Sequence, residues 1–246
     1  MPIISSAQFL AILRPWGAVA EPTYKRMGQI LDVEATDEVL WIGTGSARSV
    51  MWWAERFKTH IVGLDPDPGA VEAAEQSVRH MGMASQVSFQ VAPPSDLPYE
   101  QSVFDLVVIN VLSLLRQDYE AILREAGRVV RPTKPVVALV PSWLREPNEA
   151  DARLLADCIG LNPQLVVEWK RWFREAGIVE LTVEDAPVST VWMEVGWLAL
   201  LPRSWRVARW RGLRFILSSE FRVLHRLVQQ RALGLSIIKG TRRPNG

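Results

Sequence analysis

Gly43 and Gly45 stand two apart in EVLWIGTGSARSV, directly after an apolar run, with Thr44 between them and Ser46 behind. Small residues in such a turn let the backbone approach a ligand closely, and a helix starting just after it presents unpaired N–H groups. Asp65 follows 22 residues after Gly43, at the end of HIVGLD and just before Pro66. An acid about 20 residues beyond a glycine turn is placed to accept hydrogen bonds from ribose hydroxyls. The plainer use of Asp65 is to open the DPDPG turn and cap the next helix. With turn and spacing both present, the ribose role is the favoured reading.

Other reactive side chains are sparse. His60, His80 and His225 are scattered along the chain and read as surface or packing residues. Cys158, in LLADCIGLNP, is the one cysteine, which excludes an internal disulfide and any multi-cysteine metal site and fits a reducing compartment. It reads as a small buried apolar residue. No metal site is expected, and no catalytic base or nucleophile stands out.

The elements that must position these residues alternate. Residues 38–43, 60–65, 87–91, 104–110, 135–141 and 178–184 read as strands, and 47–58, 67–80, 117–130 and 163–176 as helices. Pro68 suits a first helical turn, while Gly82, Pro132 and Gly177 mark helix ends. Strands alternating with helices imply βαβ units, hence an α/β, doubly wound parallel sheet with helices on both faces. Such sheets bind ligands beyond the carboxyl ends of their strands.

The 246 residues, 48% hydrophobic and 22% charged, suit one domain with a substantial core. The net charge of +1 conceals a division. Residues 203–246 carry eleven Lys or Arg against one acid, Glu220, and residues 1–202 carry 17 against 26 acids, so +10 sits beside −9. The opening residues lack a basic start before their short apolar run, so no signal peptide is expected. No run reaches the roughly 18 apolar residues of a spanning helix.

The ordered segments resemble the class I S-adenosylmethionine-dependent methyltransferases. VLWIGTGSARS is similar to the first motif of that family and VGLDPDPGAVEAA to its second. VSFQVAPPSDLPYEQSVFDLVVINVL resembles its third and fourth strands, and LREAGRVVRPTKPVVAL its fifth strand and the helix before it. EWKRWFREAGIVELTVED and LGLSIIKGTRR resemble the sixth and closing strands. The resemblance implies a Rossmann-like, mostly parallel seven-stranded sheet with S-adenosylmethionine as cofactor. It assigns Gly43, Thr44, Gly45, Ser46, Asp65, Pro66 and Asn110 to the cofactor, with Asn110 the best polar active-site candidate and a turn residue as its plainer role. It divides the chain into an N-terminal helical segment (1–36), a core (37–187), an inserted segment (188–232) and a closing strand with tail (233–246). Three departures stand out: Trp41 replaces a customary acid, Ala47 fills the third small position, and Ala92 and Pro93 stand where an acid often follows the third strand. Losing a charged hydrogen-bond partner costs about 1.5–3 kcal/mol, so two losses weaken affinity by about a hundredfold or more unless other groups compensate. Trp41 either packs in the core, the favoured reading, or stacks near the cofactor.

Two functional classes stay open. One is a methyltransferase acting on a small or lipophilic acceptor, which needs only proximity and in-line alignment. The other is a degenerate methyltransferase-like fold serving as a binding or structural subunit. Between 188 and 232, apolar residues recur at helical spacing (Val207, Trp210, Leu213, Leu217, Phe221, Leu224, Val228), with Ser218 or Ser219 as a cap and arginines between. This predicts a helical cover. The basic tail either folds back on the acidic body or, through 190–231, docks on an anionic membrane surface or a protein partner. The expected location is cytoplasmic, peripheral on the cytoplasmic membrane face in the second case. Nucleic acid ranks last as a partner because no recognised binding module is present.

Overall fold

The computed structural model describes residues 17–45, 47–186, 222–223, 226–227 and 230–244, without the side chains of 17–22, 158 and 159. The strands are β1 (Glu38–Ile42), β2 (His60–Asp65), β3 (Val87–Val91), β4 (Leu106–Asn110), β5 (Pro135–Trp143), β6 (Gln164–Leu165), β7 (Ile178–Asp185) and β8 (Leu233–Arg242). The helices are α1 (Gly17–Gln29), α2 (Arg48–Phe57), α3 (Pro68–His80), α4 (Tyr119–Val129), α5 (Glu149–Leu154) and α6 (Val166–Glu175). One sheet runs β3-β2-β1-β4-β5-β8-β7, with β6 added beside the end of β5. Pairings from β3 through β5 are parallel, and β8 is antiparallel to both of its neighbours. The expected seven strands thus gain a two-residue eighth. Because Gln164 and Leu165 pair with Ser142 and Trp143, the helix predicted from 163 begins only at Val166.

Alternation along β1 divides the core between the two faces of the sheet. Leu40 and Ile42 pack with Val107, Ile109, Ile122, Trp169 and Phe173 under α4 and α6. Val39 and Trp41 pack with Met27, Trp53 and Val108 under α1 and α2. Every residue of β4 is buried, as a central parallel strand covered on both faces requires.

Local side chains fix the helix starts. Asp67 caps α3, accepting the Gly69 N–H at 2.9 Å with Pro68 in the first turn, and Asp118 caps α4, accepting from Ala121 at 3.0 Å. The 92–103 stretch between β3 and β4 is clamped from α4. Glu125 accepts the Leu97 N–H at 2.8 Å, while Arg128 donates to the Tyr99 carbonyl at 2.7 Å and the Leu97 carbonyl at 3.1 Å. Helix α1 is tied down by a bidentate pair from Arg26 to Glu184 on β7 and by Lys239 donating to the Ile30 carbonyl at 2.7 Å.

Candidate functional site

The strand order reverses between β1 and β4, and the glycine turn leaves β1 at that point. A sheet of this kind opens a crevice there. Gly43 has φ +81, and a Cβ on it would lie 2.6 Å from the Asn110 carbonyl oxygen and 3.0 Å from Leu114 Cγ. Only glycine meets both demands. Gly45 follows at φ +52 and Ala47 at φ +58, so three left-handed residues alternate within five positions. The Gly43 N–H donates to the Leu64 carbonyl at 2.8 Å and the Ala47 N–H to that of Thr44 at 3.0 Å. Helix α2 then starts at Arg48 without a side-chain cap.

Asp65 ends β2 beside this turn and is 3% exposed. One carboxylate oxygen accepts the Gly45 N–H at 3.1 Å and the Thr44 hydroxyl at 3.5 Å, and the other accepts the Asp67 N–H at 3.1 Å. Burial pushes its carboxyl pKa up, with the Asp67 and Gly45 N–H groups pulling the other way. The helix cap that sequence offered as its plainer role belongs to Asp67, while the opening of the DPDPG turn does belong to Asp65. Pro66 is half-buried next to it. Across the strand pair Asp65 faces Val91, which is 46% exposed, and Pro93 is exposed just beyond.

Asn110, at the end of β4, is buried. Its Nδ2 donates to Ser113 Oγ at 2.9 Å, and its Oδ1 has no donor among the described residues. Ser46, His225, the side chain of Cys158, Ser218, Ser219 and nearly all of 188–232 lie outside the described residues. His60 and His80 are exposed; His60 opens β2, away from the strand ends that meet at the turn. Among the described residues no group of three or more His, Cys, Asp or Glu could hold a metal.

Trp41 is fully buried in the core, as expected. Its ring lies 5.8 Å from Tyr24 and 5.4 Å, edge-on, from Trp53, whose Nε1 donates to the Tyr24 carbonyl at 3.1 Å. Its own Nε1 has no acceptor among the described residues. Sequence reasoning did not single out Ser113 or the Glu125–Arg128 clamp. The Glu-x-x-Arg spacing in LREAGRVV marks a helical pair, but nothing in it indicates the distant Leu97 and Tyr99 backbone it holds.

A methyltransferase-domain family model matches residues 39–133. The methyltransferase GfsG of Streptomyces halstedii is 29% identical over 118 residues, covering 48% of this chain and 42% of that protein. The chain therefore spans less than half the length of this relative. Geranyl diphosphate methyltransferase in complex with SAM superposes with a TM-score of 0.71 at 19% identity, over 92% of this chain and 84% of that one. The [4+2]-cyclase SpnF superposes at 0.67 with 20% identity, over 94% and 81%. At those identities the structural likeness carries the fold alone. The matched domain over residues 39–133 and its sequence relatives, on a sheet of this strand order, support a class I S-adenosylmethionine-dependent methyltransferase.

Proposed function

We propose that the chain binds S-adenosylmethionine across the Gly43–Gly45 turn and directs its methyl group to a small or lipophilic acceptor. The observation carrying this reading is the convergence of the left-handed glycine turn, the Asp65 carboxylate and Asn110 where the strand order reverses. The residues present fit the cofactor. The turn keeps side chains away from a ligand, Asp65 retains lone pairs for ribose hydroxyls, and Val91, Pro66 and Pro93 offer apolar surface to a base. Asn110 Oδ1, a buried acceptor without a donor among the described residues, suits an N–H or O–H of a bound molecule. The bound cofactor supplies an electrophilic methyl group on a sulfonium. The protein's share is to align donor and acceptor, and no general base is required for that. Trp41 packs into the core, so its ring leaves the crevice open, but neither Trp41 nor Pro93 supplies an acceptor oxygen from its side chain.

Calorimetric titration with S-adenosylmethionine and S-adenosylhomocysteine tests the reading, followed by methyl transfer from labelled cofactor to a panel of amine, hydroxyl and prenyl acceptors. Saturable binding with turnover of an acceptor is expected. Binding without turnover on any acceptor supports the degenerate binding-subunit alternative, and absence of binding removes the cofactor assignment.

The Trp/Arg-rich stretch supports a second element of the proposal, peripheral attachment to an anionic cytoplasmic membrane face. The described tail cations favour folding back instead. Arg226 pairs with Asp151 at 2.6 Å, and Arg242 is spent on Ser102 Oγ and on the Arg128 and Val130 carbonyls. No helix among the described residues is long and apolar enough to cross a membrane. Co-sedimentation with anionic vesicles at low and high salt decides: salt-sensitive pelleting supports attachment, and its absence at low salt leaves self-packing.

A further inference from the structure

We propose that Asp65 is a positioning residue, holding the glycine turn in its ligand-ready shape before any ligand arrives. The proposal rests on the cofactor reading above. Residues 43–47 carry three left-handed backbones, one of them on alanine. Alanine keeps such a conformation only where surrounding structure determines it, whereas Gly43 and Gly45 are free to adopt theirs or leave them, so the order of the turn has to come from its hydrogen bonds. Among the described residues of the turn, only the Gly43 and Ala47 N–H groups have backbone acceptors, and α2 brings no capping side chain. The Gly45 N–H, at the centre, goes to Asp65.

A single carboxylate thereby bridges two turns. One oxygen takes Gly45 N–H and Thr44 Oγ1 from the turn after β1, and the other takes Asp67 N–H from the turn after β2. The strands are locked in register directly beneath, Ile42 against Leu64. Strand β1 brings no polar side chain that could substitute, because Trp41 faces the α1–α2 core. An ionised acceptor makes the stronger kind of hydrogen bond, and at 3% exposure water competes little for it. Ribose hydroxyls add to lone pairs the turn leaves free, so ligand binding and turn order draw on the same carboxylate.

Two measurements on Asp65→Asn test the proposal: backbone amide exchange in the ligand-free protein, and calorimetry with S-adenosylhomocysteine and its 2′,3′-dideoxy analogue. Loss of one hydrogen bond to a charged acceptor should speed exchange at Gly45 and Asp67 roughly ten- to hundredfold, while Leu40 and Val108 keep their protection. Affinity should fall for the dideoxy analogue as well as for the parent ligand. Unchanged Gly45 exchange, or an affinity loss confined to the hydroxylated ligand, overturns the positioning role. If the wild-type protein binds neither ligand, the cofactor reading fails, and the exchange data alone decide the role of Asp65. Should Asp65→Asn not fold, Asp65→Glu, whose carboxylate is displaced by one methylene, is read by the same two measurements with the same outcomes.

Discussion

At residue 41 an indole occupies a fully buried site between Tyr24 and Trp53. Replacing it with the acid customary in the family removes that packing and buries a charge without a partner. Trp41→Asp should therefore destabilise the protein by at least about 3–5 kcal/mol, the range for truncating a buried Trp. A lowered urea midpoint checks this, and no gain in S-adenosylhomocysteine affinity is expected. Residue 47 makes the opposite prediction. Alanine at φ +58 bears a left-handed cost of about 1–2 kcal/mol that glycine avoids, partly offset by glycine's greater unfolded-state freedom. Ala47→Gly should raise stability by about 0.5–1 kcal/mol net, read as a higher melting temperature.

At the scale of elements, the segment after β3 keeps its course because α4 holds it. Glu125 and Arg128 lie one helical turn apart, and between them they bond the backbone of Leu97 and Tyr99. Arg128→Ala leaves two carbonyls and Glu125 without their partner. The expected cost is about 1–3 kcal/mol, with protease sensitivity rising first between 95 and 100. Because Pro93 and Val91 adjoin this segment, affinity for adenosine-containing ligands should fall too. Equal cleavage of mutant and parent in that stretch would show that the clamp is not what orders it.

For the whole molecule, stability against acid depends on carboxylates of opposite sign. At Asp105 burial pushes the carboxyl up, but the Arg131 guanidinium, the Glu38 N–H and Lys134 outweigh it and hold it below the ordinary value of 3.8. At Glu125 the Arg128 hydrogen bond, opposed by burial and helped by the Leu97 N–H, likewise lowers it below 4.5. Such groups contribute stability that is full above their ordinary values and lost as pH falls through the depressed ones. Asp65 acts the other way: its raised pKa means the folded state holds the proton more tightly, so its contribution grows as pH falls toward 3.8. Asp105→Asn should flatten the acid limb of a stability–pH curve, and Asp65→Asn should steepen it.

The fold was legible because its determinants are local. β2 and β3 carry the predicted limits, β1 differs by one residue, and α3 and α4 start one and two residues after the predicted positions. The glycine turn and Asp65 were legible for the same reason, since spacing along a strand–turn–helix unit is a property of sequence. The sequence also determined the chemical menu: one cysteine, scattered histidines and no acid at 41 or 93. Only the tertiary structure decided how that menu is used. It assigned the cap to Asp67 and the turn's central N–H to Asp65, set Ser113 against Asn110, and buried Trp41 between helices whose contact residues lie 17 and 12 positions away. Each of these depends on which groups face one another once two strands are in register and a helix covers them, and a hydrogen bond at 3 Å is set by that geometry rather than by residue type.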